Sequence, residues 1–178
     1  MIKLHLGCGS RYIEGFIHID LIDNYDHINH ITSVDNLTMY PDNSVDLIYC
    51  SHVLEHFKRS HVPAVLKEWY RVLKPEGLLR LSVPDFEKLI EVYLKYGDLK
   101  LIIGPLYGRQ DHELNIHYTT FDYPSLCVLL QEAGFKNVRW YNWKETEHSH
   151  IDDYSQSYIP HMDKENGILI SLNLEAIK

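Results

Sequence analysis

This sequence predicts an α/β fold with an open, mostly parallel sheet, on three observations. Gly7-Cys8-Gly9-Ser10 follows directly on the apolar opening Ile2-Lys3-Leu4-His5-Leu6, so a strand runs into a glycine turn. A second short apolar run, Phe16-Ile17-His18-Ile19, ends in an acid, Asp20. Farther on, helical spacing at Val62, Leu66, Trp69 and Leu73 gives way to a continuous apolar run from Leu78 to Val83. Strand patterns that alternate with helix patterns are the signature of a sheet covered by crossover segments.

The elements follow in order. Ser60 stands where it can cap the helix that begins near Val62, and Lys74-Pro75-Glu76-Gly77 ends it. The run Leu78–Val83 reads as a buried strand closed by Pro84-Asp85. Asp85 can cap the next helix, whose stripe is Phe86, Leu89, Ile90, Tyr93 and Leu94, with Gly97 as its stop. Residues 98–120 show no clear period. Asp122-Tyr123-Pro124 opens another helix, with Leu126, Leu129, Leu130 and Ala133 on one side and Gly134 at its end. Val138, Trp140 and Asn142 mark a strand. The last strand alternates Ile170, Leu172, Leu174 and Ala176 with Ser171, Asn173 and Glu175, which predicts one buried and one solvated face.

A length of 178 residues predicts a single domain spanning 1–178. Hydrophobic content of 45% and charged content of 24% are those of an ordinary globular chain. No apolar run reaches bilayer length, so no membrane span is expected, and the immediate entry into a strand argues against a signal peptide. The three cysteines, Cys8, Cys50 and Cys127, form no disulfide framework, which points to the cytoplasm. A formal net charge of −8 argues against a nucleic-acid partner.

Glycines let the backbone approach a ligand that a Cβ would block, and an acid at the tip of the next strand can accept from two ribose hydroxyls. A dinucleotide site would want a third glycine opening a helix toward the pyrophosphate, and Tyr12 occupies that place. This disfavours a nicotinamide-dependent oxidoreductase. A ligand with no phosphate needs only the turn and the acid.

Three segments carry a resemblance. Leu4-His5-Leu6-Gly7-Cys8-Gly9, the stretch Pro41–His56 that contains Val45-Asp46-Leu47-Ile48-Tyr49-Cys50-Ser51-His52-Val53-Leu54-Glu55-His56, and Glu68–Leu79 resemble, in order, three motifs of class I S-adenosylmethionine-dependent methyltransferases. Within them the chain is similar to small methyltransferases associated with polysaccharide and glycan biosynthesis, a narrower match supported by Tyr107–His112 and Glu132-Ala133-Gly134-Phe135. The resemblance implies a Rossmann-like class I methyltransferase fold, with seven strands and the last one antiparallel between strands five and six. It implies S-adenosylmethionine as cofactor and methyl transfer, most simply to an oxygen of a small-molecule or glycan-precursor acceptor. The alternative is a non-catalytic domain that binds the cofactor or a partner.

The resemblance also implies the site. Gly7, Cys8 and Gly9 would lie against the methionine end of the cofactor. Asp20, with Leu21 beside it, would hold the ribose, and Asp35, Asn36 and Leu37 would meet the adenine. Ser51 and His52 would border the sulfonium. His112 and His117, in the irregular segment after strand five, are the candidate general bases. His52, Glu55 and His56 have ligand-like spacing but no third partner evident in sequence, so no metal and metal-free turnover are expected. His148, His150, Asp152 and Asp153 read as a solvated loop. Only residues 10–19 separate Gly9 from Asp20, too few for a full crossover helix. With no helical segment ahead of strand one, one side of the cleft is expected to be open. Residues 98–120 as a lid, or a second subunit in a homo-oligomer, would close it.

Overall fold

The computed structural model describes all residues, Met1–Lys178. Its seven-stranded sheet is built from β1 (Lys3–Leu6), β2 (Ile17–Asp20), β3 (His30–Ile31), β4 (Val45–Ser51), β5 (Leu73–Pro84), β6 (Lys136–Trp140) and β9 (Ser171–Ile177). The strand order is β3-β2-β1-β4-β5-β9-β6. β1 to β5 are parallel neighbours, and β9 runs antiparallel to both β5 and β6. This is the predicted class I architecture, with the last strand inserted where expected. A separate two-stranded piece pairs β7 (Tyr158–Ile159) with β8 (Ile168–Leu169).

One face of the sheet is apolar and covered by helices. Leu4, Leu6, Ile48, Cys50, Leu79, Leu81, Leu172 and Leu174 point to α1 (Val62–Val72) and α4 (Tyr123–Ala133). Trp69 is fully buried between the layers, and its indole N–H donates to the Val34 carbonyl at 2.9 Å, so its one polar atom is satisfied. Asp122 caps α4 through a reciprocal pair with Ser125. Ser60 does not cap α1: His61 holds that position and makes no side-chain cap, while Pro63 pre-sets the first turn.

The other face is the surprise. The segments after β1 and β2 contain no helix, as their lengths predict, and neither does the longer one after β3. Residues 141–157 cover this face instead. The residues it covers are polar: His5, His18, Tyr49, Arg80, Ser82, Asn173 and Glu175, all under 10% exposed. All but His5 make side-chain hydrogen bonds, and the His5 ring packs against Phe16, His18 and Tyr49. Tyr49 donates to Asp153, Tyr141 and Ser82 share a 2.6 Å hydroxyl contact, and Arg80 bridges Glu175 at 2.9 Å and Glu147 at 2.8 Å. His148 packs against Tyr49 with ring centroids 4.2 Å apart and the rings tilted by 45°. Two sequence expectations are corrected here. The polar face of β9 is buried, and in the loop His148 is buried and Asp153 is bonded to Tyr49, while His150 and Asp152 stay exposed as read.

α2 (Phe86–Tyr96) is capped by Asp85, which accepts from the Glu87 and Lys88 amides, and ends at Gly97. Its predicted stripe is corrected: Leu89 and Val92 are buried, while Phe86, Ile90, Tyr93 and Leu94 are exposed. The helix lies at the carboxyl end of the sheet rather than on its face. There it needs only a narrow edge, packed with Ile102, Ile159, Ile168 and Ile170. Within residues 98–120, read as irregular, the chain forms α3 (Lys100–Tyr107) despite Pro105.

Candidate functional site

β1, β2 and β4 deliver their carboxyl ends to one cleft of about 530 Å³. Gly7 leaves β1 at φ +65° and Gly9 follows at φ +50°, a backbone region that favours glycine. They differ in what surrounds them. A Cβ on Gly7 would lie 2.2 Å from the Val53 methyl, whereas a Cβ on Gly9 would point into open space. Gly7 is therefore a packing glycine and Gly9 leaves the cleft floor bare. Asp20 ends β2 with one oxygen accepting from the Gly9 amide at 2.8 Å and the other from the Ile22 amide at 3.1 Å. A carboxylate has about four acceptor positions, so two remain for a ligand.

Gly7, Gly9, Asp20, Leu21 and His52 all line this cleft. Cys8 does not: its thiol is buried, and burial together with the Asp20 charge pushes its pKa up to about 12. It can offer a ligand only its backbone. Ser51 is buried beneath the floor. From the loop after β3, Ser33 and Val34 face the cleft in place of Asp35, Asn36 and Leu37. Asp35 is held by Ser33 and by His61 at 2.6 Å, and Asn36 accepts from Thr38. Leu37 is wholly buried in the core, and its amide donates to Glu68 at 2.9 Å. The loop turns one residue earlier than the motif spacing suggests, because Leu37 and Val34 both anchor it to α1. Val53, Phe57 and Tyr154 are cleft residues that sequence reasoning missed. Tyr154 arrives from a segment more than a hundred residues away and stacks near His52, with centroids 5.3 Å apart.

Glu113, Leu114, Asn115 and Tyr118 line the cleft from residues 112–118. The Tyr118 amide ties this segment to the Glu55 carbonyl at 2.8 Å.

A second pocket of about 360 Å³ adjoins the first, sharing His52, His56, His112, Asn115 and Tyr154. His117 lines this second pocket only, whereas His112 lines both. Between them sits a buried cluster. Leu54–His56 form a short 3-10 turn after β4, which places Glu55 inward and fully buried. Neither Glu55 oxygen makes a hydrogen bond. Its closest neighbours are His52 Nδ1 at 3.4 Å and His117 Nε2 at 4.0 Å. Burial pushes the Glu55 carboxyl up to about 8. Burial and the neighbouring imidazoles push His52 down to about 3 and His56 to about 4, and burial also lowers His117. His117 is thus a neutral ring with one nitrogen already engaged by the Pro105 carbonyl at 2.8 Å. The expectation that His52, Glu55 and His56 lack a further ligand is corrected. Glu55, His56 and His117 bring one ligand atom each to within 4.8 Å of one another, a meeting across sixty residues that no local spacing reveals.

No helix follows the glycine turn; residues 10–16 return directly to β2, and Tyr12 stacks on His18 with centroids 5.1 Å apart. The turn therefore offers no helix N-terminus to a pyrophosphate.

Comparison with known proteins agrees with this geometry. Residues 5–139, well over half the chain, match the family described as methyltransferase domain. A demethylmenaquinone methyltransferase from Listeria monocytogenes is 31% identical over 114 residues, covering 57% of this chain and 45% of that protein. A ubiquinone/menaquinone biosynthesis C-methyltransferase from Cronobacter sakazakii is also 31% identical over 114 residues, covering 58% and 43%. The chain thus spans less than half the length of these relatives. The same fold occurs in a SAM-dependent methyltransferase from Archaeoglobus fulgidus, with TM-score 0.61, 19% identity and coverage of 99% and 85%. It also occurs in a 1,6-didemethyltoxoflavin N1-methyltransferase from Burkholderia thailandensis solved with S-adenosylhomocysteine, with TM-score 0.59, 16% identity and coverage of 99% and 70%. This chain belongs to the methyltransferase domain family and has the fold of class I S-adenosylmethionine-dependent methyltransferases.

Proposed function

We propose that this chain binds S-adenosylmethionine in the 530 Å³ cleft and transfers its methyl group to a hydroxyl oxygen of a small polar acceptor held in the adjoining pocket. The observation that supports it is the continuity of the two spaces. The glycine turn and Asp20 floor one, a histidine-rich wall lines the other, and His52, His56 and Tyr154 stand between them. The residues suit the cofactor. Asp20 keeps acceptor capacity for the ribose hydroxyls, Val34, Phe57 and Leu21 offer apolar surface to the base, and Gly9 leaves room for the methionine end. Bound there, the cofactor supplies a methyl already activated on sulfur, so no protein nucleophile is required. The chain's part is to hold the acceptor in line and to take its proton. His112 suits the proton step, because its ring faces both spaces. His117 suits positioning, because it is buried and tied to Pro105. Arg109 and Asp111 in the second pocket favour a polar acceptor such as a glycan precursor over an apolar one.

A screen of nucleotide sugars, simple polyols, phenols and amines with methyl-labelled cofactor tests this reading. Label is expected in an ether product. Label found only in amines or on carbon would move the assignment to another atom, and cofactor binding with no transfer to any acceptor would favour the non-catalytic domain.

A further inference from the structure

The Glu55 cluster is hard to explain without a cation. His56 Nδ1 lies 3.1 Å from the Ile116 carbonyl, which can only accept, so that nitrogen carries the ring hydrogen and Nε2 is a bare lone pair. His117 Nδ1 lies 2.8 Å from the Pro105 carbonyl, with the same consequence for its Nε2. The Ser171 hydroxyl donates to Asn173 at 2.9 Å, so its oxygen takes the hydrogen of His52 Nε2 at 3.0 Å and leaves His52 Nδ1 bare as well. Three imidazole lone pairs therefore converge on a fully buried carboxylate whose two oxygens have no hydrogen-bond partner. Without an ion the only hydrogen available to this space is a proton on Glu55, which can serve one of the three nitrogens and leaves the others bare in a protein interior. This convergence is the arrangement a metal ion wants, including backbone carbonyls that fix the tautomer of each ligating ring.

We propose that Glu55, His56 and His117 hold a divalent first-row cation of the zinc class, with His52 beside it and an open side toward the second pocket. Two imidazole nitrogens and one carboxylate suit such an ion and leave a position free. Of the three ligands, His56 lines both the cofactor cleft and the pocket assigned to the acceptor, and His117 lines the latter. The role of the ion in transfer rests on the function proposed above. It would draw charge from the acceptor hydroxyl and so ease loss of its proton. In the transfer step that proton passes to the His112 imidazole. The oxygen lone pair forms the new bond to the methyl carbon, and the carbon–sulfur bond breaks with its pair returning to sulfur.

The test is uptake of Co²⁺ and Zn²⁺ by untagged protein first stripped with chelator, followed by visible d–d absorption for Co²⁺ and metal analysis after dialysis for Zn²⁺. One metal per chain is expected in the wild type. Glu55→Gln, which keeps shape, and His117→Ala should each weaken uptake by about 100-fold or more, with loss of the cobalt spectrum. S-adenosylhomocysteine affinity should stay within about threefold in both variants, which also reports that they fold, since neither residue lines the cofactor cleft. A wild type that binds S-adenosylhomocysteine but takes up no metal overturns the inference, as does equal uptake by wild type and both variants. Metal uptake without any S-adenosylhomocysteine binding would leave the site standing and sink the proposed function instead.

Discussion

Lowering the pH from about 7 to about 5 is expected to unfold the metal-free protein. Burial depresses the pKa of six imidazoles, His5, His18, His52, His56, His117 and His148. His52 falls to about 3, and His56 and His148 to about 4. The sign follows from linkage. The unfolded chain protonates these rings as the pH drops through about 6.5, while the folded chain keeps them neutral, so the unfolded state binds more protons. The stability they contribute is fully present above about 6.5 and is lost as the pH falls toward their folded values, at about 1.4 kcal/mol per pH unit for each group. His52, His56 and His148 together lose about 4 kcal/mol per unit, against a typical total of about 5–15 kcal/mol. Glu55 works the other way. Its folded pKa of about 8 lies above the unfolded value, so the protein gains stability from it as the pH falls toward about 4.5. One such group offsets roughly one histidine. The groups facing Glu55 are His52, His56, His117 and the Cys50 thiol, and His112 acts in turn on His56. Thermal melts by circular dichroism across this range, with chelator present, should show a steep fall in Tm. A flat Tm would mean that these rings take up protons in the folded state, and the buried neutral histidines would be misread.

Replacing Gly7 by alanine is expected to cost about 2–5 kcal/mol, from overpacking of about 1–3 and left-handed backbone strain of about 1–2. The new methyl would sit 2.2 Å from the Val53 Cγ2, and Gly7 is at φ +65°. Val53 cannot simply swing away, because its β-branched side chain is held against the core. Val53→Ala in the same chain should recover the overpacking part and leave the backbone part. Urea midpoints for the wild type, the single variant and the pair give the two contributions separately. An unchanged midpoint in Gly7→Ala would contradict the close approach.

Much of this could be read from the residues in order, and the reasons are local. Gly7, Gly9 and Asp20 are joined by short connections, so a turn and a strand tip suffice to bring them together. Asp85, Asp122 and Gly134 act within a few residues of themselves, as caps do. What could not be read was set by distant partners. The resemblance places Leu37 against the adenine, but Glu68 and the core claim it. The stripe of α2 has a sound helical period. Its exposure depends on where the helix docks, which the period does not encode. The polar face of β9 alternates as a solvated strand would, yet it is buried, with Arg80 and Arg139 donating to Glu175 and the Asn173 amide donating to the Ser155 carbonyl. His117 reached Glu55 only through the path of α3 and the loop behind it. A ligand set made by tertiary contact leaves no spacing signal.

The claim on which the rest depends is that the glycine turn and Asp20 form an S-adenosylmethionine site. Isothermal calorimetry of S-adenosylhomocysteine with the wild type and with Asp20→Ala tests it most directly, with NADH as competitor. The wild type is expected to bind one equivalent and to ignore NADH. The variant should fold and bind about 10- to 150-fold more weakly, the loss of about 1.5–3 kcal/mol expected for hydrogen bonds to a charged group. Equal affinity in both proteins, or displacement by NADH, would contradict the assignment.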